Sequence, residues 1–345
     1  MLTGRSPHAI LIDGRPGVGK RAMALELAKL FNCEKSRTEA CDDCSSCVKT
    51  ASLIHPNLHV LLPMPPPKGR ADEAQLLASV RTASLEYLLE DKAVARSNHN
   101  IPIDLVRAVQ REMTRTPTEG PRRVCLIFEA DRMHPAGSNS LLKMLEEPPR
   151  QAVFVLVTSA TDRLLPTVVS RCQRLHLQSL SRSQLRTSLL QSGVSEAQAE
   201  LGSRFGEGSL PRAREVLSEE FEVGRQNAEQ FISDAIDGVD DGYWKLLDEI
   251  DATRDRAQLE HFLRMCGLYL RDLFLMSADG DGGIVNVDRL DRLKAWAGRL
   301  AGNRVEDAAD EAELAYEHLA RNVSPSLVLA DLWRALRPDA TTRSQ

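Results

Sequence analysis

A glycine-rich loop ending in lysine is the first candidate for chemistry in this sequence. It reads Gly14-Arg-Pro-Gly-Val-Gly-Lys20, follows the apolar stretch Ala9 to Ile12 and precedes a helical pattern that begins at Arg21. Between a strand and a helix, such glycines let backbone N–H groups turn inward around phosphate oxygens, and the lysine reaches the terminal phosphates. The candidate phosphate-binding residues are therefore Gly14, Gly17, Gly19 and Lys20.

Two positions that normally hold Mg²⁺ beside such a loop are altered. The loop pattern continues with Ser or Thr, whose hydroxyl ligates the metal, but this chain has Arg21. After the apolar stretch Val124 to Ile127, an Asp-Glu pair is expected to hold Mg²⁺ and polarise water, and here Phe128 precedes Glu129. We therefore expect neither bound Mg²⁺ nor hydrolysis of ATP. Two alternatives stay open. The loop is either inherited and without a ligand, or it still binds ATP, with Glu129 among the contacts.

Four cysteines form a cluster in a short polar stretch. Cys33, Cys41, Cys44 and Cys47 are separated by seven, two and two residues, and no apolar stretch of signal-peptide length precedes them. Four soft thiolates with Cys-x-x-Cys spacing suit a tetrahedral Zn²⁺, and because they complete its coordination the metal is expected to be structural. A redox dithiol and free thiols are the alternatives.

Two further candidates lie near the end of the predicted α/β region. Thr158 ends the apolar stretch that starts at Val153, and ligands of open α/β sheets bind at the carboxyl ends of the strands, so its hydroxyl is a candidate nucleotide contact. Arg171 follows in the tripeptide Ser170-Arg-Cys172. From spacing alone, this arginine is either an ordinary surface or salt-bridged residue or one with a special role.

The order of apolar and amphipathic stretches predicts an α/β region followed by an all-α region. Helical patterns dominate after Pro166, among them Arg182 to Gln191 and Pro211 to Phe221. The proline-rich residues 63–70 suit neither a strand ladder nor a helix, so about 63–100 is interpreted as an insertion. The predicted strands are Ala9 to Ile12, Leu58 to Leu62, Val124 to Phe128 and Val153 to Thr158.

Composition excludes several classes of protein. The 345 residues include 44 Lys+Arg and 49 Asp+Glu, a net charge of −5, which argues against a nucleic-acid binder with a basic surface along the whole chain. The longest apolar runs, such as Val153 to Val157, are far shorter than a membrane span requires. A cytoplasmic protein is expected.

Taken together, the motifs resemble the AAA+ clamp-loader family of bacterial DNA polymerase III. The phosphate loop and the cysteine cluster contribute, and the most specific segments are Leu145-Glu-Glu-Pro-Pro149 and Ser170-Arg-Cys172 at their observed separation. The matches span almost the whole chain in family order. The remaining matching segments are Pro7-His-Ala, His55-Pro-Asn57, Glu129-Ala-Asp-Arg-Met133, Asn139-Ser-Leu-Leu-Lys-Met144 and Asn322-Val-Ser-Pro.

This resemblance implies three parts and a short tail. They are an AAA+ module with the zinc site (1–165), a helical lid (166–207), a helical collar that joins subunits in a ring (208–338) and a flexible tail (339–345). The ring opens the sliding clamp and places it on primed DNA, and the implied partners are the gamma/tau and delta subunits. Arg171 is implied to be an arginine finger that reaches the nucleotide of a neighbouring subunit.

Within the family, the altered metal positions resemble the rigid subunit that does not hydrolyse ATP. The alternative is an active ATPase of the gamma/tau kind, which is expected to keep Lys-Thr or Lys-Ser in the loop and Asp-Glu after the strand. Two features depart from the family pattern. Only thirteen residues precede Gly14, so the adenine pocket is expected to be incomplete, and the insertion at about 63–100 is unusually long.

Overall fold

The chain forms two compact units that divide after Ser179, and each has its own hydrophobic core. The computed structural model describes residues 7–65, 77, 80–81, 83–84, 99–253, 256–277, 283–300, 302–321 and 323–337. Most of the predicted insertion, the segment 279–282, Asn322 and the tail 339–345 lie outside the described residues. The predicted ends of the AAA+ module at 165, of the lid at 207 and of the collar at 338 stay predictions.

A five-stranded parallel sheet is the centre of the first unit. Its strands are β1 (Ala9–Gly14), β2 (Leu58–Leu61), β3 (Arg123–Ile127), β4 (Ala152–Thr158) and β5 (Gln173–Leu177). Their order across the sheet is β2-β3-β4-β1-β5, and every pairing is parallel. β3 and β4 are buried along their whole length, as expected for a parallel sheet covered on both faces. The four predicted strands are confirmed.

Strand β5 was not predicted from the sequence. Among the described strands it pairs only with β1, so it is the edge strand on that side of the sheet, and the residues from Gln173 to His176 are exposed. Its composition, Gln-Arg-Leu-His-Leu, has no continuous apolar run because the strand is not buried on both faces. The strand matters for the site, since it brings Arg174, His176 and Leu177 beside the end of β1.

Helices accompany the sheet of the first unit. They are α1 (Lys20–Asn32), α2 (Ser45–Ala51), α3 (Ile103–Met113), α4 (Pro135–Glu146) and α5 (Pro166–Val169). α4 begins with proline at its first position, where a missing N–H costs nothing, and Nδ1 of His134 accepts a hydrogen bond from the Ala136 N–H at 3.2 Å. It ends just before Pro148 and Pro149, which cannot continue a helix.

The second unit consists of helices around a core rich in aromatic residues. Phe231 lies 4.9 Å from Trp333 and 5.3 Å from Phe262, measured between ring centroids, in edge-to-face arrangements. The predicted fold class, α/β followed by all-α, is confirmed. The helices are α6 (Arg182–Gln191), α7 (Glu196–Phe205), α8 (Leu210–Glu215), α9 (Glu219–Asp237), α10 (Asp241–Thr253), α11 (Arg256–Ser277), α12 (Leu290–Ala297), α13 (Gly302–Ala320) and α14 (Pro325–Leu336).

The helix predicted over Pro211 to Phe221 is wrong, because the structure has two helices there. α8 ends at Glu215, and α9 begins at Glu219 after Ser218, whose hydroxyl accepts a hydrogen bond from the Phe221 N–H at 3.2 Å. This N-cap satisfies one of the free N–H groups of the new helix. In the part of the chain that the structure describes, no helix is both long and apolar enough to cross a membrane.

Candidate phosphate loop, arginine and zinc site

The loop between β1 and α1 has glycine at three positions whose backbone angles would strain any other residue. The backbone φ angle is 148° at Gly14, 78° at Gly17 and 92° at Gly19. A Cβ atom on Gly14 would overlap the carbonyl oxygen of Leu177 in β5. Gly19 takes the left-handed conformation directly before the first residue of α1. The loop therefore places the amino end of α1, with its free N–H groups, at the carboxyl end of the sheet, where an anion is favoured.

The Lys20 ammonium contacts the loop itself. Its Nζ donates hydrogen bonds to the carbonyl oxygens of Gly14 at 2.8 Å and Arg15 at 2.7 Å, and the residue is buried. Burial lowers the pKa of Lys20, although the nearby carboxylates of Glu129 and Asp131 act in the opposite direction. A phosphate bound in the loop would compete with these two carbonyl oxygens for the lysine.

Asp13, the residue before Gly14, is the centre of an ion-pair cluster that the sequence analysis missed. Its buried carboxylate accepts hydrogen bonds from Arg174 Nε at 2.9 Å and Nη2 at 2.6 Å, and it lies 2.9 Å from Nδ1 of His176. The Arg174 guanidinium lowers the pKa of Asp13 from 3.8 to about 2, against the effect of burial and with further help from His176. The signal for this cluster in the sequence is a carboxylate at the end of an apolar strand, because a buried carboxylate needs a partner.

Phe128 and Glu129 have different surroundings although they are neighbours in sequence. Phe128 is fully buried and belongs to the hydrophobic core of the sheet, and its backbone N–H donates to the Leu61 carbonyl at 2.9 Å. Glu129 has a φ angle of 49°, which is unusual for a residue other than glycine. Its carboxylate lies near enough to Lys20 to act toward a higher pKa of the lysine. The aromatic ring at position 128 is therefore part of the core.

Thr158 is held by another side chain at the end of β4. Its hydroxyl donates a hydrogen bond to the Asp131 carboxylate and accepts one from the Ala160 N–H at 2.9 Å. In the sheet, Thr158 is the register partner of Asp13, so it lies at the same edge as the phosphate loop. The structure thus brings the predicted residues of the loop, Glu129 and Thr158 to one end of the sheet, together with the carboxylates of Asp13 and Asp131.

Arg171 lies after the short helix α5 and contacts the end of α4. Its Nη2 is 2.6 Å from Oε1 of Glu146, and its Nη1 donates a hydrogen bond to the Thr167 carbonyl at 2.9 Å. About a third of the side chain, 35%, remains exposed. Arg171 is therefore a partly exposed arginine with an ion-pair partner.

The four cysteines converge into one cluster. The sulfur atoms of Cys33, Cys41, Cys44 and Cys47 all lie within 4.8 Å of one another. Cys33 follows the end of α1, Cys44 is the N-cap of α2 and Cys47 lies in its first turn. Thiolates bound to one zinc ion at about 2.3 Å are about 3.8 Å apart, so small adjustments of the side chains fit this cluster to the metal.

Hydrogen bonds around the cluster favour thiolates at two of the four positions. Despite burial, the pKa of the Cys33 thiol is lowered to about 6, because the backbone N–H groups of Cys41, Lys35 and Ser36 donate toward it. The pKa of Cys44 is also lowered, again against burial, by backbone N–H groups such as that of Cys47. The pKa of Cys41 is raised by a hydrogen bond with Asp43, and that of Cys47 is raised by burial. The convergence of four thiols is therefore the feature that suits Zn²⁺.

The two histidines near this cluster have partners of their own. His55 Nε2 lies 3.0 Å from the Ser46 hydroxyl, and its Nδ1 accepts a hydrogen bond from the Asn57 N–H at 3.1 Å. His59 Nε2 lies 3.1 Å from Arg123 Nη1, and burial, together with Arg123, lowers the pKa of His59 to about 4. Both histidines are therefore structural, and within the described part of the chain the four cysteines form the candidate metal site.

Comparison with known proteins identifies a family for the first unit. The family model described as DNA polymerase III, delta subunit, matches residues 1–181, which is more than half of the chain. Subunit delta′ of DNA polymerase III from Bacillus subtilis is 33% identical over 197 residues, covering 57% of this chain and 50% of that protein. The chain thus spans about half the length of this curated relative.

A second group of relatives is also similar, and so are solved structures. Subunit tau of DNA polymerase III from Escherichia coli is 31% identical over 187 residues, covering 54% of this chain and 24% of that protein. The crystal structure of a DNA polymerase III gamma subunit-related protein from Thermotoga maritima aligns with a TM-score of 0.47 and 15% identity, covering 96% of this chain and 94% of that one.

Proposed function

Because this chain belongs to the DNA polymerase III delta subunit family, we propose that it is a delta-prime-like subunit of a bacterial clamp loader. It assembles with gamma/tau and delta subunits in the cytoplasm, helps to load the sliding clamp onto primed DNA and hydrolyses no ATP itself. Its contribution to hydrolysis is Arg171, which acts as an arginine finger on the nucleotide of a neighbouring subunit. The zinc ion at the cysteine cluster is structural.

The observation that carries the proposal is a phosphate loop in which both positions that normally supply a Mg²⁺ ligand are altered. Arg21 follows Lys20 where a hydroxyl is needed, and Phe128 is buried in the core where a carboxylate is needed. Phosphoryl transfer depends on metal ions that neutralise the charge developing on the phosphate oxygens. A chain that retains the loop but lacks both anchors suits a subunit that supports the catalysis of another.

The surroundings of Arg171 agree with a role in trans. The side chain is partly exposed, and its partner Glu146 is itself 47% exposed. Ion pairs of this exposure contribute roughly 0 to 1 kcal/mol, so the contact with Glu146 does not prevent the guanidinium from also binding the phosphate of a neighbouring subunit. Arginine fingers raise hydrolysis by about 10³- to 10⁵-fold in well-studied GTPases.

The similarity to tau subunits supports a second candidate, an active ATPase of the gamma/tau kind. The two candidates differ in where hydrolysis takes place. In the first, it needs Arg171 of this chain and the nucleotide of a neighbour. In the second, it needs Lys20 of this chain and survives in the purified subunit.

The test is a loader reconstituted from this chain and its gamma/tau and delta partners. Arg171→Ala is expected to lower the ATPase activity stimulated by clamp and primed DNA by at least about 10-fold, while gel filtration shows the same complex. Arg150→Ala, at an exposed position before β4, is the matched control and is expected to keep wild-type activity. Unchanged activity of Arg171→Ala contradicts the finger role.

A further inference from the structure

Glu146 and Arg171 meet although they are far apart in sequence. Glu146 is the last residue of α4, and Arg171 follows α5. Their charged groups are 2.6 Å apart, and the carbonyl of Thr167 accepts a second hydrogen bond from the same guanidinium at 2.9 Å. These two contacts hold the guanidinium from both of its terminal nitrogens, Nη1 and Nη2.

The helix itself does not stabilise a carboxylate at the position of Glu146. The carboxyl end of a helix carries partial negative charge, so an acidic side chain there is unfavourable unless a cation compensates it. Arg171 is that cation. Since both partners are substantially exposed, the ion pair adds little to folding stability, and its main physical effect is on the orientation of Arg171.

We propose that Glu146 is a positioning residue for the arginine finger. This inference rests on the proposed role of Arg171. Together with the Thr167 carbonyl, the Glu146 carboxylate fixes the plane of the guanidinium. An arginine carries several N–H donors in a planar fork, and the two contacts use only part of them. The remaining donors can bind phosphate oxygens at the neighbouring subunit. Arg171 then loses little rotamer freedom on binding, because its side chain is already held in place.

The expected effect is on turnover and not on nucleotide affinity. Without Glu146, Arg171 regains rotamer freedom, which must be lost again in each transition state. Glu146→Ala is therefore expected to lower kcat of the stimulated ATPase by about 2- to 5-fold, less than Arg171→Ala does. The KM for ATP is expected to stay the same, because the neighbouring subunit binds its own nucleotide.

The experiment uses the complete loader with variants at adjacent positions. Glu146→Gln keeps an acceptor oxygen without the charge, so it is expected to recover part of the kcat lost in Glu146→Ala. Glu147→Ala removes the next carboxylate in sequence, which is also exposed, and is expected to behave like the wild type. The double variant Glu146→Ala with Arg171→Ala is expected to have the activity of Arg171→Ala alone, since Glu146 acts through Arg171.

Three results separate the possible failures. Wild-type kcat in both Glu146→Ala and Glu146→Gln, with Arg171→Ala impaired, overturns the positioning role only. A higher kcat in Glu146→Ala also overturns it, because the carboxylate then restrains the arginine from the phosphate. Full activity of Arg171→Ala overturns the proposed function and this inference together. If Glu146→Ala does not assemble, the Glu146→Gln variant decides between these results.

Discussion

The Arg174 guanidinium contacts both carboxylate oxygens of Asp13, with Nε 2.9 Å from Oδ1 and Nη2 2.6 Å from Oδ2. This contact adds to the backbone pairing of the edge strand β5 with β1 at the residue that precedes the phosphate loop. A buried carboxylate without a partner costs several kcal/mol, so the contact also compensates the burial of Asp13.

The first prediction concerns the pH dependence of this contact. The pKa of Asp13 is lowered from 3.8 to about 2 in the folded chain, so its stabilising effect is complete above about pH 4 and is lost as the pH falls through about 2. The contribution is about 1 to 2 kcal/mol, since Arg174 is half exposed and screened by solvent.

Urea unfolding of the wild type and Asp13→Asn between pH 7 and pH 2 measures this contribution. Asp13→Asn is expected to be less stable at pH 7, and the difference in the free energy of unfolding is expected to shrink toward pH 2. Asp162→Asn, at an exposed position in the same unit, is the control. A difference that is the same at every pH contradicts the prediction.

The contrast between β4 and β5 shows which strands a sequence reveals. β4 is buried on both faces, and its residues from Ala152 to Thr158 are nearly all apolar, so the strand is evident from composition. β5 lies at the edge, and two of its polar residues, Arg174 and His176, contact Asp13. Its pairing with β1 depends on contacts that are distant in sequence, and one sequence does not reveal them.

The same distinction applies to the candidate sites. The phosphate loop and the cysteine cluster were predictable, because each is a short motif whose chemistry depends on local spacing. The partner of Arg171 was not predictable, since Glu146 meets it only after α4 and α5 have packed in the first unit. Burial of Phe128 in the core also depends on the assembled sheet.

The second prediction concerns the metal at the cysteine cluster. Native mass spectrometry of the freshly reduced protein is expected to show one zinc ion per chain, because four convergent thiols form a closed coordination shell. Cys44→Ser is expected to lose the ion and to destabilise the first unit by on the order of a few kcal/mol.

The control for zinc binding is Cys172→Ser. Cys172 is a half-buried free thiol outside the cluster, and burial raises its pKa to about 11. The Cys172→Ser protein is therefore expected to retain zinc. Wild-type protein that carries no metal after expression in zinc-containing medium, or equal zinc content in Cys44→Ser, contradicts the assignment.

The third prediction concerns Phe128. Restoring an acidic residue there is expected to harm folding, because Phe128→Asp puts a carboxylate into a fully buried apolar position. We expect a loss of at least about 3 to 5 kcal/mol in the free energy of unfolding, measured by urea denaturation. Phe128→Leu keeps the apolar character and is expected to lose less than Phe128→Asp. Equal stability of the Phe128→Asp and Phe128→Leu proteins would show that position 128 is open to solvent.

The last prediction is that the phosphate loop of this chain does not hydrolyse ATP. The purified chain is expected to turn over ATP no faster than its Lys20→Ala variant, with or without Mg²⁺, because Arg21 and Phe128 supply no metal ligand. Lys20 itself donates to the carbonyl oxygens of Gly14 and Arg15, so its loss alters the loop and removes neither of the contacts of Arg171 with Glu146 and Thr167. In the reconstituted loader, Lys20→Ala is accordingly expected to keep most of the stimulated ATPase activity that Arg171→Ala removes. A Mg²⁺-dependent rate in the purified chain that disappears in Lys20→Ala would assign hydrolysis to this subunit and favour the gamma/tau-like alternative.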